Sequence, residues 1–217
     1  FNTMGADDTL SLGMQFKGIK LLANLQVTPK TTLKLIVDKN SGDSLVIRGE
    51  GQISFAINES GNQNITGIYR INSGAYKATF QKVFKRELTI QPGGYITFNG
   101  SPTDAAVDIT AVYSVKTSPA DLLSSELVGA TTGDKNTYKK PLDFRILMRM
   151  SGQLMKPDIS FKLDMNEADQ NAFGGSVYAK INSLNNDPSE LYKQVFSLLL
   201  MKKFLPAGIG GGGSDPA

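Results

Sequence analysis

Apolar and polar side chains alternate along most of this chain. Between residues 19 and 27 the odd positions are aliphatic or Ala, whereas the even positions are mostly polar. A period of two places successive side chains on opposite faces of an extended strand, so the pattern predicts strands with one buried face. The pattern recurs at residues 33–37, 65–71, 76–80 and 105–115, with Gly, Pro, Asn and Ser between many of the segments. We therefore expect a mainly β fold.

The longest alternating segment covers residues 45–57. At about 3.3 Å per residue it would span roughly 40 Å, which is longer than an ordinary strand. Gly49 and Gly51 interrupt the aliphatic positions in its middle and predict a bend or a bulge. The Asn-Ser-Gly sequence at residues 72–74 predicts a turn between two later strands.

The alternation stops after residue 116. Residues 117–140 are rich in Ser and Thr and have no sustained period, which predicts a long loop with one short helical turn near 120–127. Two further strands are predicted at residues 142–150 and 159–165.

The period changes from two to that of a helix near the end of the chain. Residues 167–184 are weakly helical, and Gly174 with Gly175 predicts an interruption. Asp187 is suited to cap a second helix, with Pro188 at its first position. These patterns divide the chain into a β domain at 1–165, a helical segment closing it at 166–206, and a flexible Gly-rich tail at 207–217.

Composition removes most catalytic chemistry. The chain of 217 residues contains no His and no Cys, which excludes the Ser-His-Asp and Cys-His schemes and the usual zinc and iron sites. Asp7 with Asp8, and Asp104 with Asp108, indicate exposed charges rather than a catalytic pair. The net charge is +3 and the basic residues are scattered, which predicts no nucleic-acid partner. We predict a protein that is not an enzyme, with no catalytic residue, metal or cofactor.

The apolar faces of the strands are the remaining candidate site. One interpretation is the filled core of an ordinary β sandwich. The other is an open or half-closed sheet whose inner face carries acyl chains. The candidate lining of such a groove comprises Ile47, Ile53, Phe55, Ile57, Tyr69, Ile71, Phe80, Leu88, Ile90, Phe98, Val107, Ile109, Tyr113, Phe144, Ile146, Ile159, Phe161 and Leu163.

The last helix has apolar residues around much of its circumference, which gives it two possible roles. It can pack against the sheet and close one end of its interior, which is the favoured interpretation, or it can contact a partner protein. The side chains concerned are Phe196, Leu199, Leu200 and Phe204.

Several segments, in their order along the chain, resemble a known family. They are residues 67–76 (GIYRINSGAY), 88–96 (LTIQPGGYI), 108–113 (DITAVY), 152–161 (GQLMKPDISF) and 194–199 (QVFSLL). Together they resemble the C-terminal domain of TamB, a subunit of the translocation and assembly module. The resemblance extends over roughly residues 27–205, and the Lys- and Asn-rich style resembles members from the Bacteroidota.

The resemblance implies an elongated sheet folded over a hydrophobic inner groove, called a β-taco, with helices at its C-terminal end. It implies a parent chain that is anchored in the inner membrane and crosses the periplasm. The implied partner is an outer-membrane β-barrel assembly protein of the TamA or BamA type. The implied roles are phospholipid transport to the outer membrane and outer-membrane protein assembly. Two alternatives remain open from the residues: an integral outer-membrane β-barrel, and a carbohydrate-binding or adhesive β-sandwich module.

Overall fold

The computed structural model describes residues 18, 20–38, 40–80, 84–101, 104–129 and 131–206. The candidate pair Asp7 and Asp8 and the tail at 207–217 lie outside the described residues. The strands are β1 (Leu21–Val27), β2 (Thr32–Asp38), β3 (Asp43–Ile57), β4 (Gln63–Phe80), β5 (Phe84–Ile90), β6 (Tyr95–Gly100), β7 (Ala106–Thr117), β8 (Leu142–Gln153) and β9 (Lys156–Met165). The α-helices are α1 (Thr132–Thr137), α2 (Ser176–Asn185) and α3 (Pro188–Met201).

The strands form one antiparallel nine-stranded sheet, and the expected mainly β fold is confirmed. The order is β1-β3-β4-β5-β7-β8-β9, with β2 paired to β3 and with β6 paired to both β4 and β7. Strands β1 and β2 pair with the two halves of β3, and β6 and β5 pair with the two halves of β4. Two long strands therefore carry pairs of shorter ones end to end.

The predicted turn at residues 72–74 is wrong. Strand β4 continues through these residues, and the pairing with β3 shifts register between Arg48 and Gly49. Asn72 lies opposite no residue, which is the arrangement of a β-bulge. Because the extra residue changes the parity of the apolar positions, one bulged strand has the sequence pattern of two strands joined by a turn.

The segment between β7 and β8 is more ordered than the predicted loop. Backbone bonds from Leu123 N to Pro119 O and from Leu127 N to Leu123 O form helical turns within the predicted 120–127 segment. Helix α1 follows and was not predicted from the sequence. The side chains of Leu122 and Leu123 are buried, so this segment covers part of the interior.

Helix α3 begins as its sequence predicts. The side chain of Asp187 accepts a hydrogen bond from Glu190 N at 3.2 Å, and Pro188 is in the first turn. Lys202 ends the helix in a left-handed conformation with φ of 58°. Short 3₁₀ segments precede α2, and Phe173 and Gly174 have left-handed backbone angles there, as the predicted interruption requires.

The buried residues form two clusters on the inner face of the sheet. The sheet cluster lies among strands β3 to β8, and the helix cluster lies among strands β7 to β9, the turns after β7, and helices α2 and α3. The outer face is polar and includes cross-strand ion pairs, for example Arg149–Asp108 and Arg145–Asp164, each at 2.8 Å. The interior is therefore covered by the sheet itself at one end and by helices at the other.

Candidate functional site

Most of the candidate lining is buried against other side chains. Ile53, Phe55, Phe80, Phe98, Tyr113 and Phe161 are half-buried, and Ile159 is 45% exposed. The fully buried candidates are Ile47, Ile57, Tyr69, Ile71, Leu88, Ile90, Val107, Ile109, Phe144, Ile146 and Leu163. The candidate residues that keep accessible apolar surface lie mainly at two places, which we call the open end and the cleft.

The open end lies where β1, β3 and β4 pair, and it consists of Leu21, Leu25, Ile53, Phe55 and Ile65. Leu25 lies opposite Ile53 and Phe55 lies opposite Ile65. Directly opposite residues project from the same face of a sheet, so these side chains form one apolar surface. Leu21 and Leu25 are 45% and 51% exposed, and this surface is therefore accessible from solvent.

The cleft lies between the end of β4, the strands β8 and β9, and helix α3. Its volume is about 550 Å³. Phe161 forms its aromatic wall, with ring centroids 5.6 Å from Tyr192 and 6.4 Å from Phe196. The lining consists of Asp43, Tyr76, Ala78, Thr79, Phe80, Met148, Ile159, Phe161, Tyr192 and Phe196.

One wall of the cleft is polar. Asp43 Oδ1 accepts a hydrogen bond from Thr79 N at 3.0 Å. Burial raises the pKa of Tyr76 to about 12, and the charge of Asp43 and its hydrogen bond to the phenol add to the shift. Tyr76 therefore keeps its proton beyond the range in which an ordinary phenol loses it, and it lies beside the Asp43 carboxylate in a mostly apolar lining.

The sequence placed all four candidate residues on the last helix, but α3 ends at Met201 and Phe204 follows it. Two of the four candidates point into the interior. Leu199 and Phe204 are buried, and the Phe204 ring packs edge-on against Phe144 with centroids 4.8 Å apart. Phe196 and Leu200 are half-buried. Leu199 and Phe204 thus belong to the helix cluster, while Phe196 and Leu200 retain accessible surface.

Polar side chains hold the end of α3 in place. Gln194 is buried, and its side chain accepts from Leu205 N at 2.9 Å and donates to Leu205 O at 3.1 Å. Arg86 of β5 donates from Nε to Leu199 O at 2.7 Å and from Nη2 to Leu200 O at 3.2 Å. Both contacts satisfy backbone groups near the end of the helix, where carbonyl groups lack helical partners.

Sequence reasoning missed Tyr192, Asp43 and Asn185 as residues of this region. Asp43 lies in the short polar segment between two predicted strands, at residues 33–37 and 45–57, and Tyr192 has the polarity of a helix surface residue. Asn185 contacts the backbone of β9, and no periodicity marks such a contact. Asp43 and Tyr192 line the same cleft, and Asn185 reaches Leu163, only when the sheet folds over and the helices pack beside β9.

The arrangement suits apolar binding better than reaction chemistry. Among the described residues, no group of three or more acidic side chains is placed to hold a metal ion. No helix in the described part of the chain combines the length and apolarity needed to cross a membrane. The accessible features are apolar surfaces bordered by a small number of hydrogen-bonding groups.

Fold and site together define an elongated β protein with a folded sheet, an apolar interior and helices at its C-terminal end. The family model of the TamB C-terminal domain matches residues 8–217, so the chain belongs to the TamB C-terminal domain family. No curated protein sequence matches the chain. The resemblance is thereby confirmed over a longer range than residues 27–205.

Membership gives the chain a coarse function. TamB belongs to the translocation and assembly module of the cell envelope, and the mainly β fold fits the β-taco of the family. The family is non-enzymatic and works with a TamA-type partner. The origin of this chain within the Bacteroidota remains a prediction.

Proposed function

We propose that this chain is the C-terminal part of a periplasm-spanning protein that carries phospholipid acyl chains toward the outer membrane. The same protein would support outer-membrane protein assembly with a β-barrel partner of the TamA or BamA type. Its parent chain would be anchored in the inner membrane and reach the outer membrane.

The apolar inner face and its accessible end are the observations that support this proposal. The outer face of the sheet has ion pairs, whereas the inner face is aliphatic and aromatic from the helix cluster to the open end. Removing apolar surface from water lowers the free energy by about 25 cal/mol per Å² of surface covered. An acyl chain laid along Leu25, Phe55 and Ile65 would therefore be stabilised without any specific polar contact.

The carbohydrate-binding or adhesive sandwich is less well supported. A sandwich consists of two separate sheets, whereas the described strands all belong to one sheet. Sugar sites use exposed aromatic rings, and here the rings of Phe55, Phe98 and Phe161 share the inner face with aliphatic residues. An acyl-chain ligand fits such a face better than a sugar.

A photo-crosslinking experiment tests the proposal. The crosslinking residue p-benzoylphenylalanine would replace Phe55 at the open end, and in a matched variant it would replace Thr66, which is exposed on the other face of β4. After irradiation in cells, mass spectrometry should find phospholipid attached at position 55 and little at position 66. Equal capture at the two positions, or none at position 55, would contradict the proposal.

A further inference from the structure

The outer edge of β9 is partly closed by side chains: Asp164 and Arg145 bond the backbone of Met165, and Asn185 bonds the backbone of Leu163. Leu163 N donates to Asn185 Oδ1 at 2.9 Å, and Leu163 O accepts from Asn185 Nδ2 at 2.9 Å. In an antiparallel strand the N–H and C=O of one residue point to the same side, and that side alternates along the strand. The even residues face β8, as the bond from Asn166 N to Asp143 O at 3.2 Å shows just beyond the strand. The odd residues of β9 therefore direct their backbone groups away from the sheet.

Two odd residues have outward backbone groups that remain unpaired. Within the described part of the chain, no hydrogen bond reaches the outward N–H and C=O of Ile159 or Phe161. Pro157 has no N–H to offer, and Leu163 is already paired with Asn185. The unpaired stretch of the β9 edge is therefore limited to Ile159 and Phe161, between Pro157 and Leu163. An unpaired strand edge is a template on which another strand can form hydrogen bonds.

The contact of Asn185 shows how this edge accepts a peptide group. A carboxamide has the same donor and acceptor as the backbone, and here both engage one residue of β9 at 2.9 Å. Asn185 therefore imitates one residue of a neighbouring strand. An incoming strand can continue the same pairing from Phe161 toward Ile159.

The cleft lies directly beside this unpaired stretch. The side chains of Ile159 and Phe161 line it together with Tyr192 and Phe196. Neighbouring strands lie about 4.8 Å apart and alternate their side chains between two faces. A strand added to β9 would direct every second side chain toward the apolar lining of the cleft. Backbone pairing with pockets for alternate side chains is the established mode of strand addition.

We infer that the edge of β9 at Ile159 and Phe161 is a docking site for an extended segment of a second polypeptide with apolar side chains at alternate positions. The segment would add one strand to the sheet through the two free N–H and two free C=O groups. A second copy pairing through its own β9 fits less well, because it would bring its own α3 alongside this strand. The inference goes beyond the proposed lipid function and does not depend on it.

A labelled peptide tests the inference with the whole 217-residue chain. The probe is a fluorescent seven-residue peptide of alternating valine and threonine with blocked ends. Ile159→Pro removes one outward N–H at an edge position that tolerates proline, and Ile159→Val keeps the N–H with a similar side chain. We expect about tenfold weaker binding to I159P than to I159V in fluorescence anisotropy, because one backbone hydrogen bond is lost. In I159V and the original chain, the peptide should slow hydrogen exchange at the amides of residues 159 and 161.

A second variant extends the edge. Asn185→Ala frees the backbone groups of Leu163, so the folded variant should bind the peptide several-fold more tightly. Equal affinities of I159P and I159V, no binding by the original chain, or weaker binding by folded N185A would each overturn the inference. Protection from exchange at β1 or β2 in place of residues 159 and 161, or peptide-independent dimerisation through β9, would overturn it as well.

Discussion

The middle of β3 shows how a single residue can set the distance between two strands. A Cβ added at Gly49 would overlap the backbone oxygen of Arg70 and would lie 3.0 Å from Cε1 of Tyr69. The Tyr69 ring covers the position that a side chain would otherwise occupy, an arrangement known to compensate for glycine in a sheet. Gly49 therefore permits a close approach of β4 that a larger residue would prevent.

Gly49→Ala should lower the free energy of unfolding by about 1–3 kcal/mol, because the added methyl group forces a backbone shift in a packed region. Urea denaturation measures this change. Gly133→Ala in α1 is the matched control, since the nearest atom to its added Cβ is 3.7 Å away. The control should be neutral or slightly stabilising, as Ala is a better helix former than Gly. A neutral result for Gly49→Ala would contradict the proposed close approach.

The raised pKa of the Tyr76 phenol leads us to expect a loss of stability at alkaline pH. Its pKa is raised from the ordinary 10.0 to about 12 in the folded chain. The unfolded chain therefore releases this proton first, so the stabilisation is fully present below pH 10 and is lost as the pH rises toward 12. The full difference corresponds to about 2–3 kcal/mol.

The measurement is the pH dependence of the free energy of unfolding, determined for the original chain and for Tyr76→Phe. Lysine residues titrate in the same range, and the Phe variant retains their contribution. The slope between pH 10 and 12 should be smaller in Tyr76→Phe. Identical slopes would show that Tyr76 does not titrate with a raised pKa.

Helix α3 is the element that determines how far the interior is closed. It packs beside β9 through the Phe161 and Tyr192 rings and reaches β5, where Arg86 binds the carbonyl groups of its last turn. The chain then folds back after Lys202 and buries Phe204. These contacts join strands from both core clusters through one helix.

Arg86→Ala should destabilise the chain by about 1–3 kcal/mol, because hydrogen bonds from a charged donor to half-buried carbonyl groups are lost. Hydrogen exchange should become faster in the last turns of α3, while β7 and β8 change little. Lys85→Ala is the matched control, because the Lys85 side chain is exposed on the neighbouring position of β5. Equal effects of the two substitutions would indicate that Arg86 does not fasten the helix.

At the scale of the whole molecule, the interior is filled in its centre and accessible at the open end and the cleft. Ile109 and Phe144 are buried, whereas Leu25 is 51% exposed on the same inner face. A charged residue at a filled position would disrupt folding and say little about ligand binding. Positions at the open end, such as Phe55, are therefore the informative ones for tests of lipid transport.

Local patterns were sufficient for the strands and for the start of α3. Alternation distinguishes the two faces of a strand because the backbone geometry repeats every two residues, so the inner positions of β7 and β8 follow directly from the sequence. Asp187 and Pro188 act within one helical turn, which is why their roles could also be predicted. The predicted turn at 72–74 failed because a bulge changes the same local pattern that a turn changes.

The sequence by itself therefore determined the mainly β class, the apolar face of each strand and the lack of His and Cys chemistry. Tertiary structure alone decided which apolar side chains are packed in the core and which are accessible to solvent, because burial depends on contacts between residues far apart in the chain. The pairing of Asn185 with Leu163 and the approach of α3 to Arg86 are such contacts. No local period encodes them, since they arise only when the sheet folds over and the helices close one end.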